Sequence, residues 1–215
     1  VHYEAPPSKV MQSEMNAFFD WYYHSAPMGV SHLPAITRAA IAHLYFVCIH
    51  PFEDGNGRIG RAIAIKSLSE SLGYPALLSL SQVMSKHKKE YYEALAGQNR
   101  NIEITPWLVY FAKAILDALA YTQKMIAFLI EKAKFCDRYS KQLNERQHNV
   151  TMRMFQEGII GFKGGLSAKN YMSISKASPS TATRDLQELV DMGALKKEGE
   201  RKGTRYYLNI STLAK

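Results

Sequence analysis

Apolar residues recur at helical spacing through most of this chain, and strand-like alternation is confined to its last fifth. Met11, Met15, Phe18, Phe19 and Tyr22 repeat every three to four positions, as do Ile36, Ala40, Leu44 and Val47, and then Ile59, Ile63 and Leu68. A period near 3.6 places each set on one face of a helix, to be buried against another helix. Pro27-Met28-Gly29, Gly73 and Pro75 punctuate the segments. The pattern predicts helices over 10–24, 34–49, 58–72, 81–97 and 105–134, the last with Thr105 as its cap and Pro106 at its first helical position. The fold class expected is mainly α. An all-helical domain fills 1–138, and a helical connector and a small α+β domain fill 139–215.

The second domain follows from a change of pattern. Polar residues dominate 137–147. Helices are predicted to open at 149 (to 156), over 166–172, and from Ser178-Pro179, where Ala182, Leu186 and Leu189 share one face. Two short strands, 195–198 and 205–209, then flank the segment from Gly199 to Gly203. Helix, short helix, second helix and basic hairpin is the order of a winged helix-turn-helix.

Charge separates the same two regions. The net charge is +8. Residues 140–215 carry 13 Lys+Arg against 7 Asp+Glu, whereas 1–139 carry 14 against 12. The surplus points to an anionic partner for the second domain, with a solvated basic face as the alternative. Ser180, Thr181, Thr183 and Arg184 near the last helix start, with Lys202 and Arg205 on the hairpin, are the candidate DNA contacts. Winged helices also dock proteins or pair with a second copy, so a homodimer is the competing use of this unit.

No run of about twenty apolar residues is present, and the N-terminus lacks the basic-then-apolar pattern of a secretory signal, so a cytoplasmic location without membrane contact is expected. Cys48 and Cys136 lie in apolar helical patterns without metal-ligand spacing and read as buried thiols. The chain opens on Val1 rather than Met, and further sequence is expected upstream.

Between the second and third predicted helices lies His50-Pro51-Phe52-Glu53-Asp54-Gly55-Asn56-Gly57-Arg58-Ile59-Gly60-Arg61. Gly55 and Gly57 allow tight backbone and close approach to a ligand. A helix start directs free N–H groups at an anion. Arg58 and Arg61, three residues apart, can fork onto two phosphates. Asp54 is a hard oxygen ligand suited to Mg²⁺ beside a polyphosphate. Asn56 can brace the loop or donate to a phosphate, and Phe52 is expected to point into the core. His50 is the natural base at neutral pH. Taken singly, these residues are a helix cap, an Asn-Gly turn and a solvated face. Together they describe a site that grips a polyphosphate and removes a proton beside it.

These twelve residues resemble the signature of the Fic (filamentation induced by cAMP) domain family, H-x-F-x-[DE]-G-N-G-R-x-x-R, without departure. The resemblance extends over about 1–135, including the Thr105-Pro106-Trp107 helix start. It implies a protein adenylyltransferase: AMP passes from ATP to a hydroxyl (Tyr, Thr or Ser) of a target protein, which can be the enzyme itself, and pyrophosphate is released. The implied base is His50, the Mg²⁺ ligand Asp54, the anion hole Gly55, Asn56 and Gly57, and the phosphate contacts Arg58 and Arg61. Tyr92 and Asn99 resemble the family's adenosine contacts, and 1–5 resembles the end of its target-aligning flap. The inhibitory pattern [ST]-x-x-x-E-[GN] has no match in 1–215. The family also contains enzymes that remove AMP or transfer other phosphate-bearing groups. A nucleotide-sensing DNA-binding regulator is the non-enzymatic alternative, against which an intact His50 argues.

Overall fold

The computed structural model describes residues 5–98 and 103–211. By packing, the chain divides into two units, Val1–Thr122 and Gln123–Lys215. The division falls at 122/123 rather than at 138/139. The reason is that Phe128, Phe135 and Tyr139 belong to the second unit's core.

The first unit contains α1 (Met11–His24), α2 (Ala35–Ile49), α3 (Asn56–Leu72), α4 (Leu80–Lys86), α5 (Lys88–Gln98) and the first part of α6 (Thr105–Tyr139). Helix α2 is its centre. Ala39, Ala40, Ala42, Leu44, Phe46 and Ile49 are all buried, so α2 is packed on several faces. Small alanines let neighbouring helices approach closely. Trp107 of α6 is fully buried and its indole N–H donates to the Ala40 carbonyl at 2.8 Å. Around it lie Leu68 of α3, Leu80 and Met84 of α4, Tyr91 of α5 and Phe111 of α6. A smaller cluster joins Phe18 and Tyr22 of α1 to Phe46 and Ile49 of α2.

One buried charge ties three of these helices together. Arg38 of α2 is fully buried, with its guanidinium 4.2 Å from the centre of the Tyr22 ring. It donates to the Tyr22 carbonyl at 2.9 Å and to the Glu70 carboxylate of α3 at 2.9 Å. Burial alone would raise the Glu70 carboxyl, but bonds from Lys66, Arg38 and Tyr22 hold it below its ordinary value.

Several sequence expectations shift. The predicted 81–97 helix is two helices, broken at His87. Helix α6 runs to Tyr139, beyond the expected 134. The Ile104 carbonyl accepts the first bond of α6, from Leu108 at 3.0 Å, so Thr105 lies inside the helix and is not its cap. The Glu103 carboxylate instead accepts the Thr105 N–H at 2.8 Å. Ile36 and Phe19, expected inward, are 41% and 46% exposed.

The second unit packs the rest of α6 with α7 (Glu145–Gln156), α8 (Ala168–Ser175), α9 (Pro179–Asp191) and an antiparallel hairpin of β1 (Leu195–Glu198) and β2 (Arg205–Leu208). Leu195 pairs with Leu208, and Glu198 with Arg205. Leu166 adds a bridge to Tyr206. Capping boxes at Asn144/Gln147 and Ser167/Asn170 start α7 and α8, so these helices begin at 145 and 168, not at 149 and 166. Ser178 caps α9 with Pro179 in its first turn, as expected. Asp185 of α9, 1% exposed, accepts from Arg146 at 2.9 Å and from the Tyr171 hydroxyl at 3.0 Å, joining α7, α8 and α9. This is a winged-helix order of elements, and the chain as a whole is mainly α. No described helix is long and apolar enough to cross a membrane.

Candidate active site

The motif occupies the turn from α2 into α3. Helix α2 ends on His50, whose N–H still bonds to the Phe46 carbonyl at 3.1 Å and whose backbone is left-handed, φ 54°. That conformation turns the chain out of the helix at once. Helix α3 starts after Gly55, φ 88°, a geometry that favours glycine. Its first helical bond runs from the Ile59 N–H to the Gly55 carbonyl at 2.9 Å. The N–H groups of Asn56, Gly57 and Arg58 are therefore outside helical bonding, at the positive end of a 17-residue helix.

His50 is exposed, and its Nδ1 lies 3.3 Å from the Val47 carbonyl. A carbonyl only accepts, so Nδ1 carries the proton in this bond. In the neutral ring Nε2 then carries the lone pair, the form a general base requires.

Asn56 is only 3% exposed, and both ends of its amide are used. Oδ1 accepts the Phe52 N–H at 3.0 Å and Nδ2 donates to the Phe52 carbonyl at 2.5 Å. Of the two roles open to it, the side chain takes the bracing one. Phe52, expected in the core, is 50% exposed, because this clasp fixes its backbone rather than its ring.

Asp54 and Arg58 lie on the solvent side. Asp54 Oδ1 accepts the Gly55 N–H at 2.6 Å, and Oδ2 accepts from Arg58 at 2.8 Å. Both side chains are largely exposed, so little holds the pair against a competing anion or cation. Arg61 points the other way. Its Nε donates to Ser81 Oγ at 2.9 Å, and its Nη1 lies 3.4 Å from where a Cβ on Gly57 would stand. Glycine at 57 thus leaves room for that guanidinium.

Beneath the helix start lies a pair that sequence reasoning missed. His43 Nε2 is 3.1 Å from the Tyr91 hydroxyl, and that hydroxyl is 4.0 Å from the same Gly57 position. Burial pushes His43 down to about 4 and Tyr91 up to about 12, so both are neutral. A Cβ on Gly60 would stand 3.0 Å from Val47 Cγ2 and 3.2 Å from His43 Nδ1, so glycine lets α3 press onto α2. The signal was available in Gly60, the motif's remaining glycine, which a turn does not explain.

Tyr92 stands on α5 beside Tyr91, 56% exposed, with ring centres 5.2 Å apart. Asn99 and residues 1–4 lie outside the described residues. In the second unit Ser180, Thr183 and Arg184 are exposed on α9. Thr181 is half-buried, and its N–H and hydroxyl both meet the Ser178 cap. Thr183 Oγ1 donates back to Pro179 at 2.9 Å. Arg205 lies on β2 and donates to the Thr204 carbonyl, while the Lys202 side chain is outside what is described. Cys48 and Cys136 are half-buried. A cavity of about 450 Å³ opens elsewhere, at the end of α1 among Trp21, His24, Ser25, Val30, Ser31 and Leu33, and contains no motif residue.

Residues 1–68 match the family model described as Fic/DOC family. This segment is a Fic/DOC one. Over 108 residues the chain is 32% identical to protein adenylyltransferase Fic of Nematostella vectensis, covering 50% of this chain and 23% of that protein. It is 34% identical over 98 residues to protein adenylyltransferase Fic of Aedes aegypti, covering 46% and 18%. The chain thus spans about a fifth of the length of these relatives. A crystal structure of a Fic family protein from Desulfovibrio desulfuricans G20 aligns with 95% of this chain and 56% of that one, at 22% identity and a TM-score of 0.48. The shared Fic segment contains the whole turn from His50 to Arg61.

Proposed function

We propose that this chain is a protein adenylyltransferase that moves AMP from ATP to a side-chain hydroxyl of a target protein. One observation carries the reading. An imidazole with Nδ1 tied to the Val47 carbonyl stands on the same short turn as three free helix N–H groups and two arginines. The tie leaves Nε2 able to take a proton, and the N–H groups and guanidiniums suit a polyphosphate. The adenylyltransferase names of the relatives support the reaction class.

In the proposed reaction the target hydroxyl oxygen attacks the α-phosphorus of ATP, and its proton passes to His50 Nε2. The new O–P bond replaces the bond between the α-phosphorus and the oxygen bridging to the β-phosphate. Pyrophosphate leaves with that bond's electron pair, and the target keeps AMP as a phosphodiester. The N–H groups of Asn56, Gly57 and Arg58 face the charge of the leaving phosphates, and Asn56 holds the loop shut.

A divalent cation fits the donor set in one way. Asp54 is an exposed carboxylate of the turn, next to the exposed Glu53, and the described residues hold no cluster of three His, Cys, Asp or Glu that would cage an ion without help. Asp54 with phosphate oxygens would hold Mg²⁺, which would supply neutralising charge.

The test is to incubate the protein and candidate targets with ATP labelled at the α-phosphate. Label is expected on protein and is expected to vanish in His50→Ala. Transfer of γ-label instead, or α-labelling that persists in His50→Ala, would overturn the reading.

A second reading concerns the second unit alone. Ser180, Thr183, Arg184 and Gln187 form an exposed polar face on α9, while Ala182, Leu186 and Leu189 fill the core. We propose that this face contacts duplex DNA, with affinity falling steeply as salt rises. Arg184→Ala is expected to weaken retention on a DNA duplex, and equal retention of the variant would remove the proposal.

A further inference from the structure

We propose that Ser81, at the start of α4, is a positioning residue for Arg61 and fixes how the turn meets the terminal phosphate of a triphosphate. The inference rests on the nucleotide reading above and adds a residue outside the twelve-residue run.

The geometry singles out Arg61. Its charge makes no ion pair among the described residues, unlike Arg58, which is paired with Asp54. The groups beneath it, Tyr91 and His43, are neutral, so they do not balance it. It is anchored by the hydrogen bond from Nε to Ser81 Oγ at 2.9 Å.

That bond is directional. Nε lies on one edge of the planar guanidinium, and anchoring it fixes the plane of the group. Nη1 then comes to rest beside Gly57, 3.4 Å from the Cβ position that glycine leaves open. Without the anchor, a flexible side chain at a partly exposed site would be ordered only when a ligand bound, and affinity would fall by that cost. Ser81 Oγ accepts from Arg61, so its own O–H remains able to donate to the same anion.

Arg61 stands about one turn beyond Arg58 on α3, so the two guanidiniums address different phosphates of one chain. Loss of the anchor should therefore be felt by a triphosphate more than by a diphosphate. A purely structural serine would affect both alike.

The experiment is calorimetric titration of the full chain with ATP and with ADP in Mg²⁺, for the wild type, Ser81→Ala and Ser81→Thr. Ser81→Ala is expected to weaken ATP roughly tenfold and ADP less than about twofold, as for loss of one charge-assisted bond. Ser81→Thr, which keeps the hydroxyl, is expected to restore ATP binding. In turnover assays KM for ATP should rise in the alanine variant while kcat at saturating ATP stays near the wild-type value. An alanine variant that binds ATP normally, one that loses ATP and ADP equally, or a threonine variant as weak as alanine would overturn the assignment. If the wild type binds ATP and only these patterns fail, Ser81 alone is misassigned. If the wild type binds no ATP, the nucleotide reading falls and takes this assignment with it.

Discussion

Replacing Asn56 by alanine removes the clasp that closes the motif turn, and the cost can be worked from its two bonds. The variant loses the acceptor of the Phe52 N–H and the donor to the Phe52 carbonyl. Both backbone groups are part-buried, so water replaces the amide incompletely. At about 1 to 1.5 kcal/mol for each bond, the loss is about 2 to 3 kcal/mol. Alanine's better helix propensity offsets roughly 0.5 kcal/mol. The net loss of about 2 kcal/mol corresponds to a fall in melting temperature of about 8 °C for a unit of this size. Both tryptophans of the chain, Trp21 and Trp107, lie in the first unit, so their fluorescence follows that unit within the intact protein. Because the turn also sets His50 against the start of α3, the proposed AMP transfer, measured well below the melting transition, should drop roughly tenfold or more. A variant that melts within about 2 °C of the wild type would refute the bracing argument.

Two further outcomes follow from buried groups. His43 is held near 4 in the fold against an ordinary value of 6.5. The unfolded chain therefore binds the extra proton first, and stability is lost as pH falls from about 6.5 to about 4. The loss from this residue is on the order of 3 kcal/mol. Urea midpoints by tryptophan fluorescence across that range should decline more steeply in the wild type than in His43→Gln, and parallel curves would contradict the assignment. In the second unit, Asp185→Ala leaves the buried Tyr171 hydroxyl without its acceptor, while the part-exposed Arg146 turns to water, and the change should cost about 1 to 3 kcal/mol. Amide exchange of α9 should accelerate accordingly, and unchanged protection would count against that network.

Much of the fold could be read because the chain announces its own stops. Gly73 ends α3 in a left-handed turn, and Ser178-Pro179 opens α9, both by local chemistry. The break between α4 and α5 could not be read, since His87 is neither glycine nor proline. The extra length of α6 was legible in principle: Phe128, Phe135 and Tyr139 continue at helical spacing, but the polar residues among them hid it. Within the site, residues 50–61 gave up their grouping because they are contiguous. The bracing role of Asn56 needed its burial, and Ser81 and Tyr91 needed the folded chain, since nothing local links position 61 to 81 or 57 to 91.

His50 holds a left-handed backbone conformation that residues other than glycine and asparagine adopt at a cost of about 1 kcal/mol or more. A glycine there would relax the joint and leave the surrounding helices undisturbed. The fold would gain what the joint releases, and the proposed reaction would lose its base. Robustness and reactivity pull this one position in opposite directions, and a screen that rewards only heat resistance would drift toward discarding the imidazole.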